Sequence, residues 1–290
     1  MKLAKKKKTE ENSEKSKMEI FKRYLTTLIG LPLVLVIFVF SNNYVMDIAL
    51  AILAIFMMHE YLHCFKSTNK ANPTSWLSYI CCALIAITHV ISEDIRFQVL
   101  VFMTPLITFI LFLELILSNG KKNVIDVMAT VLGIVYIPLS VLFVSLLRGG
   151  TPMILHRAYT GIIFAASWGS DGLAYIIGCK FGKHKLTPIS PKKTIEGAIA
   201  GVVGSIAFSL VFVLVINLIF KLEIIYWQIL IISIVLAIIG QIGDIAASAI
   251  KRYCGIKDFS NLLPGHGGLL DRCDSLLFIA PFAYMLLLMI

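Results

Sequence analysis

Charged residues are scarce in this sequence, and acidic residues are the scarcest. Only 15% of the 290 residues are charged, and 17 Asp and Glu face 26 Lys and Arg, which gives a net charge of +9. Hydrophobic residues make up 58% of the chain, and its mean hydropathy is +0.88. This composition excludes an ordinary soluble domain, and apolar runs long enough to cross a bilayer recur along the whole length. We therefore predict an all-α, polytopic integral membrane protein.

Cysteines are also few, and none of them stands in a Cys-x-x-Cys pair. Their number and spacing argue against a disulfide framework and against a zinc site. The six cysteines are Cys64, Cys81, Cys82, Cys179, Cys254 and Cys273.

About nine apolar segments are long enough to be interpreted as membrane spans. The lysine-rich residues 1–20 precede them, and we expect these to form a disordered cytoplasmic tail. Residues 21–290 would then form a single membrane-embedded domain. The predicted spans are Tyr24–Ser41, Tyr44–His63, Trp76–Ser92, Phe97–Ser118, Asn123–Leu147, Tyr159–Cys179, Glu196–Phe220, Ile225–Ile250 and Asp274–Ile290.

The positions of the charges predict the orientation of the chain. With the N-terminus in the cytoplasm, every Lys and Arg lies on the inner side except Arg96, Arg148, Arg157 and Lys221, as the positive-inside rule requires. The net charge is thereby explained without a nucleic-acid partner. A set of acids also falls in the cytoplasmic half, whereas a transporter would concentrate polar groups near the midplane. These acids are Glu60, Glu114, Asp126, Asp171, Asp244, Asp271 and Asp274. The pattern indicates an enzyme of the cell membrane that works at the cytoplasmic headgroup level.

The stretch before the last predicted span is the richest in polar residues. Asp271 and Asp274 are three residues apart and would share one face of a helix start. Asp244, Ser248 and Arg252 share a face at a spacing of four. Carboxylates on two helix ends, with basic residues between them, suit Mg²⁺ that holds a polyphosphate. The glycines of the Gly-His-Gly-Gly sequence would let backbone N–H groups approach phosphate oxygens. Charge alone leaves open a plainer interpretation, a basic loop with charge pairs at helix ends.

A second polar stretch begins inside the sixth predicted span. Asp171 lies within that span and needs a cation, a metal or a hydrogen-bond partner there. Small residues on both sides of the following loop would let helices approach closely. They are Gly169, Ser170, Gly172, Gly197, Gly201 and Ser205. The loop itself carries five lysines and two prolines, which alone would indicate only another positive-inside loop.

Together the two stretches resemble the phosphatidate cytidylyltransferase (CDP-diacylglycerol synthase) family. The C-terminal signature of that family is matched by Ser248, Lys251-Arg252, Lys257-Asp258, Pro264, His266-Gly267-Gly268, Asp271-Arg272 and Asp274. Its earlier segment is matched by Asp171, Ala174-Tyr175, Phe181-Gly182-Lys183, Ser190-Pro191-Lys192-Lys193-Thr194 and Glu196-Gly197. The sequence departs at Cys273, where the family more often has an aliphatic residue, and at Cys179, where it often has Arg. The resemblance covers residues 168–290.

The resemblance implies transfer of the cytidylyl group of CTP to phosphatidic acid, with CDP-diacylglycerol and pyrophosphate as products. We predict that Asp271, Asp244 and Asp274, in this order of preference, bind Mg²⁺, with room for a second, monovalent cation. The predicted catalytic set is Asp271, Asp244, Asp274, Lys251, Arg252 and His266. The predicted nucleotide- and phosphate-binding set is Ser190, Lys192, Lys193, Thr194, Ser248, Gly267, Gly268 and Arg272.

Two other classes of function stay open at this point. A different CTP-dependent membrane enzyme, such as a polyprenol kinase or an archaeal-type lipid cytidylyltransferase, would use similar metal chemistry with another acceptor. A polytopic transporter would move its substrate without turnover. A UbiA-type prenyltransferase is disfavoured because it needs paired Asp-x-x-x-Asp helices.

Two weaker signals lie outside the polar residues of these motifs. His59 and His63, four residues apart around Glu60, have the spacing of a zincin helix, but a further set of ligands is missing, so interfacial anchoring is the better interpretation. The small-residue helix faces would also suit a homodimer.

Overall fold

A computed structural model describes residues 41–262 and 267–289 of the chain. Within these ranges the regular structure is helical, apart from isolated bridge residues such as the antiparallel pair Lys185 and Thr194. The prediction of an all-α membrane protein is confirmed. The predicted tail (residues 1–20), nearly all of the predicted span Tyr24–Ser41, and the predicted site residue His266 lie outside the described residues.

The described part of the chain contains eight helices, which we number in chain order. The α-helical stretches Val124–Ile134 and Ser140–Arg148 are joined as one helix by a π-helical turn, Val135–Leu139. The helices are α1 (Asn43–Ser67), α2 (Ser75–Ala83), α3 (Glu93–Leu117), α4 (Val124–Arg148), α5 (Met153–Phe181), α6 (Ile195–Phe220), α7 (Tyr226–Tyr253) and α8 (Leu270–Leu287).

Six of these helices, α1 and α3 to α7, are long and apolar enough to cross a membrane. The predicted span Trp76–Ser92 has a different structure, since α2 has nine residues and continues only as a four-residue 3₁₀ turn, Leu84–Ile87. Helix α8 has 18 residues but carries three charges near its start. The total of nine spans therefore stays a prediction.

Local sequence accounts for where the helices begin and bend. The Asn42 side chain accepts a hydrogen bond from the Val45 N–H at the start of α1, and Asn123 forms a reciprocal capping box with Asp126 at the start of α4. Pro138 lies in the π-helical turn of α4, where the regular hydrogen-bond ladder is already interrupted. Asp126 also accepts the Asn72 N–H at 2.5 Å, which ties the loop before α2 to α4.

Helices α5 and α6 pack closely through glycines. A Cβ atom at Gly169 would lie 2.6 Å from the Gly204 carbonyl oxygen, and one at Gly197 would lie 3.2 Å from Gly178 Cα. Gly201 faces Ser170 in the same interface, so the predicted role of the small residues is confirmed there. Gly172 differs, because nothing lies within 4 Å of its Cβ position. These faces pack against each other within one chain, so they do not support a homodimer. The homodimer itself stays a prediction.

A buried polar network occupies the end of the bundle at which α5 begins. Arg148 and Arg157 both donate to the Ser41 carbonyl oxygen, at 2.7 and 2.9 Å. Asp47, which is fully buried, accepts hydrogen bonds from His89 and Ser145. The sequence assigned Arg148 and Arg157 to the outer side. The 29-residue helix α5 separates this network from the Lys-rich motifs at its other end.

Candidate active site

Four chain segments bring the predicted site residues to one end of the bundle. Helix α5 contributes Asp171, and the loop before α6 contributes Lys193. Helix α7 contributes Asp244 and Lys251, and α8 begins with a turn that carries the last acids. The sequence predicted that carboxylates from separate helices would converge here.

Three carboxylates from three helices lie close enough to repel one another. Asp244 on α7 repels both Asp171 on α5 and Asp274 on α8, and Asp171 also repels Asp274. The exposure of the three acids decreases from Asp171 to Asp274. Asp171 is exposed, the side chain of Asp244 is 35% exposed, and Asp274 is buried. The sequence identified Asp171 as an acid in need of a partner and as part of the family's earlier segment, but not as a metal ligand. The packing of α5 against α7 and α8 places it in this cluster.

Lys193 and Ser275 contact the three acids. Lys193 Nζ lies 2.6 Å from Asp244 Oδ2 and donates to the Gln241 carbonyl oxygen at 3.3 Å. The Ser275 hydroxyl lies 3.4 Å from Asp171 Oδ2, and the Ser275 N–H donates to Asp274 Oδ1 at 2.8 Å. One serine therefore contacts two of the three acids.

Asp271, the preferred metal ligand of the sequence analysis, makes three contacts within the protein. Lys251 Nζ donates to its Oδ1 at 2.6 Å, while the N–H groups of Phe259 and Gly268 donate to its Oδ2 at 2.8 and 3.0 Å. Its side chain is only 5% exposed. Asp271 thus fixes the loop before α8 and neutralises the buried Lys251, and the metal-binding role predicted for it stays a prediction.

The loop between α5 and α6 is ordered by backbone pairing. The Leu186 N–H donates to the Lys193 carbonyl, and the Ile195 N–H donates to the His184 carbonyl. Glu196 closes the loop by accepting from the His184 ring at 2.7 Å and from the Lys183 N–H at 3.1 Å.

The remaining predicted binding residues lie on the same chain segments. Thr194 caps α6 by accepting the Gly197 N–H at 3.2 Å, and Ser248 is buried on α7. Lys192, Arg252 and Arg272 are exposed and Ser190 is half-buried. The positive charge of Arg272 acts on Asp171. Gly267 has a φ of +81°, which favours glycine, whereas Gly268 donates to Asp271, so its N–H is engaged inside the protein.

Two residues near the site carry no sequence motif. Glu60 on α1 accepts hydrogen bonds from residues at the start of α8, across about two hundred positions of sequence. Tyr136 lies in the π-helical turn of α4, and its buried hydroxyl has no hydrogen-bond partner among the described residues. Of the charges around Tyr136, that of Asp274 acts on it most strongly. Tyr136 has apolar sequence neighbours, and the His59 and His63 spacing around Glu60 does not predict contacts with α8, so only the tertiary structure identifies these two positions.

The chemistry of the acidic cluster fits a divalent cation. Neighbouring carboxylates repel one another unless a cation lies between them, and oxygen-only donor sets suit Mg²⁺. Asp171, Asp244 and Asp274 are the acids in this relation. Across residues 41–262 and 267–289, no three Asp, Glu, His or Cys side chains are already arranged as ligands of one ion. His59 is hydrogen-bonded to the Tyr79 hydroxyl and stacks on His63, which fits the structural interpretation of this pair.

Comparison with known proteins identifies related chains. A model of the cytidylyltransferase family matches residues 21–290. Relatives named phosphatidate cytidylyltransferase include one from Staphylococcus haemolyticus, 37% identical over 62% of this chain and 66% of the relative. Another, from Staphylococcus saprophyticus, is 35% identical over 68% of this chain and 72% of the relative. A third, from Bacillus subtilis, is 46% identical over 41% of this chain and 44% of the relative. The chain thus spans about two thirds of the staphylococcal relatives and less than half of the third.

Proposed function

The chain belongs to the cytidylyltransferase family, and on this premise we propose that it transfers the cytidylyl group of CTP to phosphatidic acid, giving CDP-diacylglycerol and pyrophosphate. The names of the related proteins support this choice of lipid acceptor. The observation that carries the proposal is the acidic cluster of Asp171, Asp244 and Asp274, which lies beside Lys193 at one end of an apolar helix bundle.

The proposed reaction is an in-line displacement at phosphorus. An oxygen of the lipid phosphate attacks the α-phosphorus of CTP and forms the new P–O bond. The bond from the α-phosphorus to the bridging oxygen breaks, and pyrophosphate leaves with that oxygen. The lipid phosphate is already anionic near neutral pH, so no side chain has to act as a general base. The protein has mainly to align two anions and to offset their charge.

The three acids of the cluster would hold the metal. When bound, Mg²⁺ would neutralise part of the polyphosphate charge and increase the electrophilicity of the α-phosphorus. Asp244 and Asp274 were predicted as ligands from the sequence, and Asp171 joins them on the strength of its position. Asp271 would order the loop that delivers α8 to the site.

The lysines would bind phosphate groups. Lys193 and Lys251 each lie 2.6 Å from a carboxylate oxygen, of Asp244 and Asp271 respectively. Asp244 is among the residues that would hold the metal, and the Lys193 ammonium beside it would be available to a phosphate oxygen. Lys192 and Arg252 are exposed beside them and can bind the same anions from the surface.

The helix composition supports placement in a membrane, and the positive-inside pattern supports a site on the cytoplasmic side of the cell membrane. CTP and the lipid headgroup would then reach the site from the same face. The lipid chains would stay in the bilayer beside the helices.

The test is an assay of purified protein in detergent with radiolabelled CTP. We expect pyrophosphate release and a labelled lipid only when CTP, Mg²⁺ and phosphatidic acid are all present. A labelled product with a prenyl phosphate or another lipid acceptor, but not with phosphatidic acid, would assign the chain to a different CTP-dependent lipid enzyme. No turnover of CTP with any acceptor would refute the proposal.

A further inference from the structure

Glu60 is a buried carboxylate in the half of the chain that carries no motif. It lies near the C-terminal end of α1 and is 3% exposed. Burying a carboxylate inside a membrane protein is costly unless hydrogen bonds or charges compensate it. Its compensation comes from the segment around the predicted active site, because Ser260, Leu269 and Leu270 all donate to it.

The contacts of Glu60 make it the cap of α8. Glu60 Oε1 accepts the Leu269 N–H at 2.9 Å and Oε2 accepts the Leu270 N–H at 2.7 Å. These are the N-cap residue and first residue of α8, and the side chain of Leu269 cannot cap the helix itself. A carboxylate at this position satisfies N–H groups without an intrahelical partner and interacts favourably with the helix dipole. The cap is therefore supplied by α1 rather than by the sequence of α8.

Glu60 and Asp271 both accept hydrogen bonds from the peptide segment at the start of α8. A Cβ atom at Gly268 would lie 2.7 Å from Glu60 Oε2 and 3.0 Å from Asp271 Oδ2. Because Gly268 has no side chain, the carboxylates of Glu60 and Asp271 can both lie next to the same peptide segment. The Ser260 hydroxyl donates to Glu60 Oε1 at 2.6 Å, so the preceding loop is held by the same carboxylate.

We propose that Glu60 is a positioning residue for the active site: by capping α8 it fixes the helix start that places Asp274 beside Asp171 and Asp244. The proposal rests on the function proposed above, and it assigns to the first half of the chain a defined part in that function. Glu60 acts through Asp274 and the loop, because both of its oxygens are already engaged by N–H and hydroxyl donors.

The test compares Glu60→Gln and Glu60→Ala with Asp126→Asn. Asp126 is equally buried, and it accepts the Asn123 N–H in the capping box of α4 and the Asn72 N–H before α2, so it is a matched control away from the site. Hydrogen–deuterium exchange is followed in peptides that cover residues 267–275, and Mn²⁺ binding is measured by electron paramagnetic resonance. Both readouts are independent of turnover.

We expect both Glu60 variants to exchange faster at the start of α8 and to bind Mn²⁺ about tenfold more weakly, as loss of an outer-shell partner typically does. The Asp126→Asn variant should keep wild-type values in both measurements even where its thermal stability falls. If Glu60→Ala does not insert, Ser260→Ala removes one of the three donors and should show a smaller change in the same direction.

Unchanged exchange at residues 267–275 in Glu60→Gln would overturn the proposal, as would equal loss of Mn²⁺ affinity in Glu60→Gln and Asp126→Asn. Failure of the wild-type protein to turn over CTP with phosphatidic acid would instead count against the proposed function. In that case the exchange data would still decide whether Glu60 positions α8.

Discussion

Two lysine–aspartate pairs define the electrostatics of the site at the residue scale. Lys193 pairs with Asp244, and Lys251 pairs with Asp271, each at 2.6 Å. The second pair is the more deeply buried, with side-chain exposures of 11% and 5%. Breaking a buried pair by removing one partner is strongly destabilising, because the other charge is left uncompensated. The two pairs should therefore respond differently to substitution.

The Lys251–Asp271 pair can be tested with a double-mutant cycle. We expect Asp271→Asn to lower the free energy of unfolding by about 3 kcal/mol, since it leaves Lys251 buried without a counter-charge. Adding Lys251→Met should restore much of that stability but not CTP turnover, because in the proposed mechanism Lys251 binds phosphate and Asp271 orders the loop before α8. Thermal unfolding in detergent and the CTP assay measure the two effects. Recovery of turnover in the double variant would mean that the pair is purely structural.

The adjacent lysines before α6 should separate into two roles. Lys193 contacts Asp244, whereas Lys192 is exposed. We expect Lys193→Ala to lower kcat by at least about tenfold, and Lys192→Ala to raise mainly the KM for CTP, more so at high salt. Steady-state kinetics at two ionic strengths measure the difference. The same KM effect in both variants, with kcat unchanged, would contradict the assignment.

Motifs in the sequence carry Lys193, Asp244, Lys251 and Asp274, and the structure brings these residues to one end of the bundle. The roles predicted for them stay predictions. The partners of these residues could not be predicted, because pairings such as Lys193 with Asp244 join different helices and depend on how the helices pack. Glu60 shows the limit most clearly, since its partners lie in α8 and nothing around it in the sequence indicates a cap.

At the scale of helices, the glycine interface between α5 and α6 positions Asp171. The two helices meet at Gly169 and Gly204 in the interior and at Gly178 and Gly197 near the site. Such close contact requires the absence of side chains on both helices. Asp171 lies between these two contact points on α5, so its distance from α7 depends on them.

Substitutions at two glycines should give opposite results. A Cβ atom at Gly204 would lie 2.2 Å from the Gly169 carbonyl oxygen, which belongs to the backbone and cannot easily move. We expect Gly204→Ala to lower the free energy of unfolding by about 1–3 kcal/mol, as overpacking does. Gly172→Ala is the control, because its Cβ position is open and alanine favours the helix. Equal thermal stability of the two variants would show that α5 and α6 do not pack as described.

Helix-scale prediction was accurate for long apolar segments and failed for a short one. The predicted span Glu196–Phe220 corresponds to α6, Ile195–Phe220, within one residue. Within the predicted span Trp76–Ser92, the α-helix ends at Ala83. Apolar composition indicates that a segment is kept out of water, but it does not indicate where an α-helix ends. In this segment a 3₁₀ turn follows the α-helix. Small residues at four-residue spacing identified the α6 face but not Gly204.

At the scale of the whole molecule, charge separates the two ends of the bundle. Lysines and the acidic cluster lie at the end of α5 near Phe181, and the network of Arg148, Arg157 and Asp47 lies at the other end. Composition and the positive-inside rule predicted this division, because charge counts need no knowledge of packing. The first predicted span and the tail fall outside the described residues, so the full count of spans stays a prediction.

The orientation can be tested by labelling from one side of the membrane. Lys185→Cys and Lys221→Cys place thiols in exposed positions before and after α6. We expect an impermeant maleimide to label the second variant in intact spheroplasts, and the first only in inside-out vesicles. A variant without added cysteine controls for the natural thiols. The reverse labelling pattern would place the acidic cluster on the outer face and contradict the account.

The most direct test of the central claim is Mn²⁺ binding in the presence of CTP, measured by electron paramagnetic resonance on the purified protein. We predict that Asp171→Asn, Asp244→Asn and Asp274→Asn each weaken binding by at least about tenfold, because each removes one of three convergent carboxylates. Asp94→Asn, an exposed acid at the start of α3, should bind Mn²⁺ as the wild type does. Wild-type affinity in all three cluster variants would contradict the claim that these acids hold the metal.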